Sequence, residues 1–449
     1  MQNSRRILKY VLQYKGLIIL PFLMIGISIG LDMFNPYLGR VIIDRVIIGQ
    51  DFSVMGIALT SLLVIGLLRG GMAYARSYLF DLLAENSMLN LRKDLFSHIQ
   101  SMPFSFFDKM NTGELMSRMT GDIDSIRAVI SYGISLFLEN VLYFVIASVI
   151  LFTINWKLAL ISLAAMPFIA YLAIRLGKEE GEAYEKISDQ AAVLNTTAEE
   201  NIAGVRVVKA FAREPYEIKK FWKENHKNYS LGLDEVKIWS KYFPLIEALG
   251  NIGVVAILTF GGSMVIGEEM TIGTLVSFNG YLWMLIWPMR MLGWLGNMLA
   301  QCEASAGKIF RIMDTGSEIK DDPHAVELKS CKGHVRFEGV YFRYRGKDVL
   351  KDINIDAPPG SAIAIMGATG AGKSSVINLI GRYYDVYRGR VLVDGIDVKK
   401  IRMEDLRNSM AVVMQDVFLF SDTIASNIAF GVENASQEEI EEAAKAARS

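Results

Sequence analysis

Residues 367–375, Gly367, Ala368, Thr369, Gly370, Ala371, Gly372, Lys373, Ser374 and Ser375, combine glycine, lysine and hydroxyl in the spacing G-x-x-x-x-G-K-[ST]. Glycines permit a tight loop whose backbone N–H groups converge on phosphate oxygens, and a helix opening at the lysine adds its positive end. In such a cradle Lys373 reaches the β and γ phosphates of ATP and Ser374 places its hydroxyl on Mg²⁺. The competing reading is a glycine-rich turn that merely enters a helix. The flanks favour the cradle, because the apolar "SAIAIM" before it reads as a strand and "VINLIGRYYD" after it as a helix.

Other reactive side chains are scattered. Cys302 and Cys331 lie outside any ligand spacing and read as reduced thiols, and His98, His226, His324 and His334 form no cluster. Gln415 closes the apolar run "MAVVMQ" and is by itself only a polar residue at the end of an expected buried strand. A formal net charge of −1 offers no basic field, so nucleic acid is not an expected partner.

The elements that must position the cradle occupy a minority of the chain. At 449 residues it is too long for one ordinary core, and 52% hydrophobic residues beside 21% charged ones means that apolar residues are locally concentrated. Uncharged runs fall at 16–31, 52–68, 158–174, 248–266 and 270–289, and a sixth at 128–154 is interrupted only by Glu139. Each approaches the roughly 17 to 25 residues that a helix needs to cross hydrocarbon, so a lipid bilayer is an expected partner. Arg5, Arg6, Lys9 and Lys15 precede the first run, and the connections after the second and fourth runs are rich in Lys and Arg. The positive-inside rule then places both termini and the cradle on the cytosolic side of a cytoplasmic membrane. Those two connections are long and helically patterned, which predicts cytosolic helical arms broken near Pro103, Gly113 and Gly204. The expected division is a membrane domain over 1–313, a polar linker over 314–333, and a nucleotide domain over 334–449. In the last, "VRFEGVYFRY" alternates as a strand, "VLKDINIDA" continues it, and Asp394-Gly395 marks a hairpin turn.

Taken together, "MPFSFFD" at 102–108, "NTGELMSRMTGDI" at 111–123, "ENIAGVRVVKAFARE" at 200–214, "TIGTLVSFNGYL" at 271–282, the phosphate loop and "QDVFLFSDTIASNI" at 415–428 resemble the exporter-type half-transporters of the ATP-binding cassette (ABC) superfamily. The resemblance covers essentially the whole chain. It implies an all-α six-helix transmembrane domain followed by an α/β P-loop NTPase domain, ATP and Mg²⁺, and a second half-transporter as partner in a homo- or heterodimer. By the same resemblance Tyr344 stacks on adenine, Gln415 contacts Mg²⁺ and the attacking water, and "NTGELMSR" and "ENIAGVRVV" are coupling helices that press on nucleotide-binding domains. Family members carry their signature loop and catalytic glutamate after a helix like "SQEEIEEAAKAARS", so the sequence reads as a truncated record of a longer chain with its general base absent. Export of a lipid-like, drug-like or peptide substrate is the leading expectation. A non-hydrolysing subunit of a heterodimer and an ATP-gated channel or regulator are the alternatives. Glu139 either faces a substrate cavity and takes a cation, or pairs with a neighbouring helix or lies at the inner interface. Asp32, Glu247 and Arg290, near span ends, are expected to snorkel.

Overall fold

A computed structural model describes residues 2–448 except 345, 416 and 433. The chain forms two compact units, one of residues Met1–Met102 and Lys109–Gly316, the other of Pro103–Asp108 and Ser317–Ser449.

The first unit is a bundle of six long helices: Lys15–Val41, Ser53–Gln100, Ile134–Ile154, Met166–Ala203, Glu214–Ile266 and Ile272–Met313. In hydrocarbon no water competes for backbone N–H and C=O groups, so an apolar run there becomes helical whatever its neighbours do. This also tolerates Pro21, Pro36, Pro244 and Pro288 inside helices. Among the described residues five helical stretches, beginning at Asn3, Ser53, Thr112, Trp156 and Glu214, are long and apolar enough to cross a membrane. The sixth long helix falls below that mark, its apolar run diluted by Asn279, Tyr281, Trp283 and Trp287, yet it holds more buried residues than any of the others. Helices of 48 and 53 residues reach about 70 to 80 Å, more than twice the thickness of hydrocarbon, so the predicted arms are continuous with the spans.

The second unit holds a four-stranded antiparallel sheet in the order β2-β1-β3-β4, with β1 Val335–Tyr344, β2 Lys347–Ala357, β3 Arg388–Val393 and β4 Ile396–Asp397. Phe337, Val340 and Phe342 of β1 meet Leu350, Val376, Leu379, Val391 and Val393 in the core. Asp394 and Gly395 both take positive φ, 47° and 79°, as the expected hairpin turn between β3 and β4 requires. Gly389 (φ 81°) is obligatory for a second reason, since a Cβ there would stand 2.2 Å from the Gly339 carbonyl oxygen. Residues of the polar stretch after Met313 lie along this unit: Val326 donates its N–H to Lys400 O at 2.7 Å, and Arg382 Nη2 donates to Lys320 O at 3.0 Å. The helix Gln437–Ala447 opens with the expected capping box, Ser436 N donating to Glu439 and Glu439 N to Ser436 Oγ.

Two expected strands are not formed. Residues 361–366 and 410–415 are irregular, and all of them but Met410 are exposed, Met366 to 85% and Val413 to 98%. Their composition suits strands buried on both faces of a parallel sheet, but such a strand needs a partner edge and a covering layer. Among the described residues neither run has a neighbouring strand.

Candidate functional site

The phosphate loop is built by backbone conformation. Gly370 and Gly372 adopt φ of 82° and 87°, the left-handed region where a side chain is strained. Gly372 is the residue immediately before the helix Lys373–Ile380, and a Cβ on it would meet Leu350 at 2.8 Å and Val349 at 3.1 Å. The loop is thus pressed against β2 at a place only glycine fits. Lys373 Nζ donates to the carbonyls of Gly367 and Ala368, both at 2.9 Å, so the ammonium lies across the mouth of its own loop and phosphate oxygens would compete for it. Ser374 is exposed at the head of the helix, whereas Ser375 is 6% exposed and can offer a ligand only its backbone. Gly367, Ala368, Thr369 and Ala371 are exposed.

Tyr344 ends β1 on the same hairpin whose second strand packs against Gly372. Its half-buried ring sits 4.6 Å from Phe342 and 5.0 Å from Tyr384, edge-on to both. Gln415 is exposed on an irregular segment and not at the end of a strand. No group of three or more His, Cys, Asp or Glu side chains among the described residues could hold a metal ion.

Sequence reasoning missed the surroundings of Tyr384. The residues after the phosphate-loop helix receive Pro103–Asp108, which belongs to the second unit. Phe104 stacks on Tyr383 with centroids 4.6 Å apart and planes 3° from parallel, and Tyr384 Oη donates to Asp108 Oδ2 at 2.8 Å. Burial, the hydrogen bond to Asp108 and the nearby Tyr344 all push the Tyr384 phenol pKa up, so it remains a neutral donor. Residues 103–108 group with the nucleotide unit, and Thr112–Ser117 with the helical unit. The signal was present in "PFSFF", three aromatic rings within four residues of a proline in a segment too short to span or to form a core.

In the helical unit Glu139 pairs with Arg76 at 2.7 Å and accepts from Ser135 Oγ at 2.8 Å, the neighbouring-helix alternative that the sequence left open. Asp32, 3% exposed, accepts from Arg69 Nη1 at 2.6 Å, from Asn35 at 3.3 Å and from Tyr143 Oη. Glu247 pairs with Arg290 at 2.6 Å. Each of these three residues thus has an oppositely charged partner on another helix. An ionised group in hydrocarbon is costly alone, and a partner on the next helix lowers that cost more directly.

A bundle of membrane-length helices joined to a glycine-cradled phosphate site defines a nucleotide-dependent integral membrane protein. The chain matches the family profile of the ABC transporter transmembrane region over residues 18–289 and that of the ABC transporter over 350–449. It is 32% identical over 451 aligned residues to the uncharacterized ABC transporter ATP-binding protein YknU of Bacillus subtilis (strain 168), covering 100% of this chain and 77% of that one. It is 33% identical to the ATP-dependent lipid A-core flippase of Syntrophus aciditrophicus (strain SB), over 92% of this chain and 68% of the relative. A fatty acid ABC transporter ATP-binding/permease protein of Mycobacterium bovis is also 33% identical, over 89% of this chain and 63% of the relative. The protein belongs to the ABC transporter family, as an exporter-type half-transporter.

Proposed function

We propose that this chain is one half of an ATP-driven exporter that moves a lipid-like, drug-like or peptide substrate across the cytoplasmic membrane by alternating access. The observation that carries the reading is the loop 367–372, with its two left-handed glycines and Lys373 across its mouth, in a chain whose other unit is a bundle of membrane-length helices. In this proposal the N-terminus and nucleotide unit are cytosolic. A second half-transporter completes the membrane bundle and closes over the bound nucleotide. Hydrolysis of ATP supplies the free energy that resets the cycle. The backbone of 367–375 and Lys373 bind the β and γ phosphates, Ser374 and Gln415 bind Mg²⁺, and Tyr344 stacks on adenine. Gln415 also orients the attacking water.

Relatives named as a lipid A-core flippase and a fatty acid transporter support the lipid-like end of the substrate range. Glu139 is the proposed contact for a cationic substrate, and because Arg76 already neutralises it, such a ligand would have to displace that guanidinium. Unchanged selectivity between cationic and neutral dyes in Glu139→Gln would remove Glu139 from the site. The site itself is tested by Lys373→Ala in the assembled transporter. ATP turnover and transport should both fall by at least about 100-fold, as loss of an electrostatic phosphate contact implies. Retained vanadate-sensitive ATPase would overturn the proposal.

A further inference from the structure

The phosphate-loop helix Lys373–Ile380 has the cradle at one end and "GRYYD" at the other. At that second end Phe104 lies flat on Tyr383, and Arg407 sits 5.0 Å from the same ring. Tyr384 touches both sides of the problem. Its ring is 5.0 Å from Tyr344, proposed above for adenine, and 6.2 Å from Phe104, while its hydroxyl donates to Asp108. Tyr384 also packs on the core of the unit, so its ring cannot turn without moving one neighbour or the other. A nucleotide base arriving at Tyr344 therefore meets a side chain whose rotamer is set by residues 103–108. Contact between groups in a packed cluster is where non-additive coupling arises.

We propose that Tyr384 is a positioning residue that links base binding at Tyr344 to the seating of Pro103–Asp108, so that occupancy of the adenine side, separately from the phosphates, is communicated to that segment. The inference rests on reading 367–375 and Tyr344 as a nucleotide site. Linkage makes it reciprocal: whatever base binding does to the seating of 103–108, that segment does to base affinity by the same factor. The phosphate half of the site is reached through Lys373 and the loop backbone and is left unaffected.

The test compares MgATP with magnesium tripolyphosphate, which carries the phosphates without the base, as ligands of the assembled transporter. Tyr384→Phe removes the hydrogen bond to Asp108 and keeps the ring, and Asp108→Ala removes it from the other side. Each should weaken MgATP about fivefold, the lower end of ordinary coupling, and leave tripolyphosphate affinity unchanged. The double variant should lose no more than Tyr384→Phe alone, because Asp108→Ala acts through a bond that Tyr384→Phe already deletes. Equal losses for the two ligands, fully additive losses in the double variant, or no loss from Asp108→Ala would each overturn the linkage. Unchanged thermal unfolding of both variants separates the effect from damage to the fold. Failure of the underlying reading is distinct: Lys373→Ala would then leave the affinity of both ligands intact.

Discussion

The two units handle long apolar runs in opposite ways. In the helical unit 16–31, 53–68 and 248–266 all became helix, each closing its backbone hydrogen bonds within itself. In the nucleotide unit 361–366 and 410–415 are as apolar, yet remain irregular and, Met410 apart, exposed. A helix is a local solution and needs only its own residues, while a strand is half a solution and needs an edge to pair with. β1 and β2 satisfy that need within one hairpin, and β3 adds to β1. Polar residues show the reverse contrast. The phosphate loop is organised within nine consecutive residues, whereas Asp32, Glu139 and Glu247 of the bundle each take an arginine partner from another helix.

The largest break in this comparison should come from an interhelical pair. Asp32→Ala leaves Arg69 and Tyr143 without their acceptor, and thermal unfolding in detergent should show a loss of about 3 kcal/mol. A loss below about 1 kcal/mol would mean that the bundle does not depend on such pairs. Next comes a matched pair in the nucleotide unit. Ile401→Ala, at a fully buried position, should cost about 2 to 4 kcal/mol, while Val413→Ala, 98% exposed, should stay within about 0.5 kcal/mol. Equal costs in a denaturant titration would show that 410–415 is packed after all. The smallest effect concerns pH. Burial would raise the Asp394 pKa, but the N–H groups of His334 and Lys332 outweigh it and hold the carboxyl below its ordinary value. A depressed folded pKa stabilises above the unfolded value of about 3.9 and loses that contribution as pH falls through the folded one. The stability difference between the native protein and Asp394→Asn should therefore be constant above about pH 5 and shrink below about pH 4. A difference that grows on acidification would reverse the assigned sign.

Much of the site was legible because its information is local. Gly370 and Gly372 take the left-handed φ that a phosphate loop requires, and Asp394-Gly395 makes the turn its dipeptide announces. Ser436 and Glu439 cap their helix reciprocally. Less was legible where a residue's meaning depends on what stands beside it. Arg69 and Arg76 are seven residues apart on one helix, about two turns, and that spacing gives no hint that one serves Asp32 and the other Glu139. "MPFSFFD" could be quoted as a motif, but nothing in it says that Phe104 lies on Tyr383, 279 positions later.

The sequence by itself determined the helices of the bundle, the phosphate loop, the hairpin turn and the capped last helix, because each is decided by hydrogen bonds and steric limits within a few residues. Tertiary structure alone decided which charges neutralise each other, which apolar runs find a sheet, and that residues 103–108 belong with Tyr383 and Tyr384. Those outcomes depend on pairings between distant parts of the chain, and a backbone or side-chain group carries no mark of its partner until folding brings the two together.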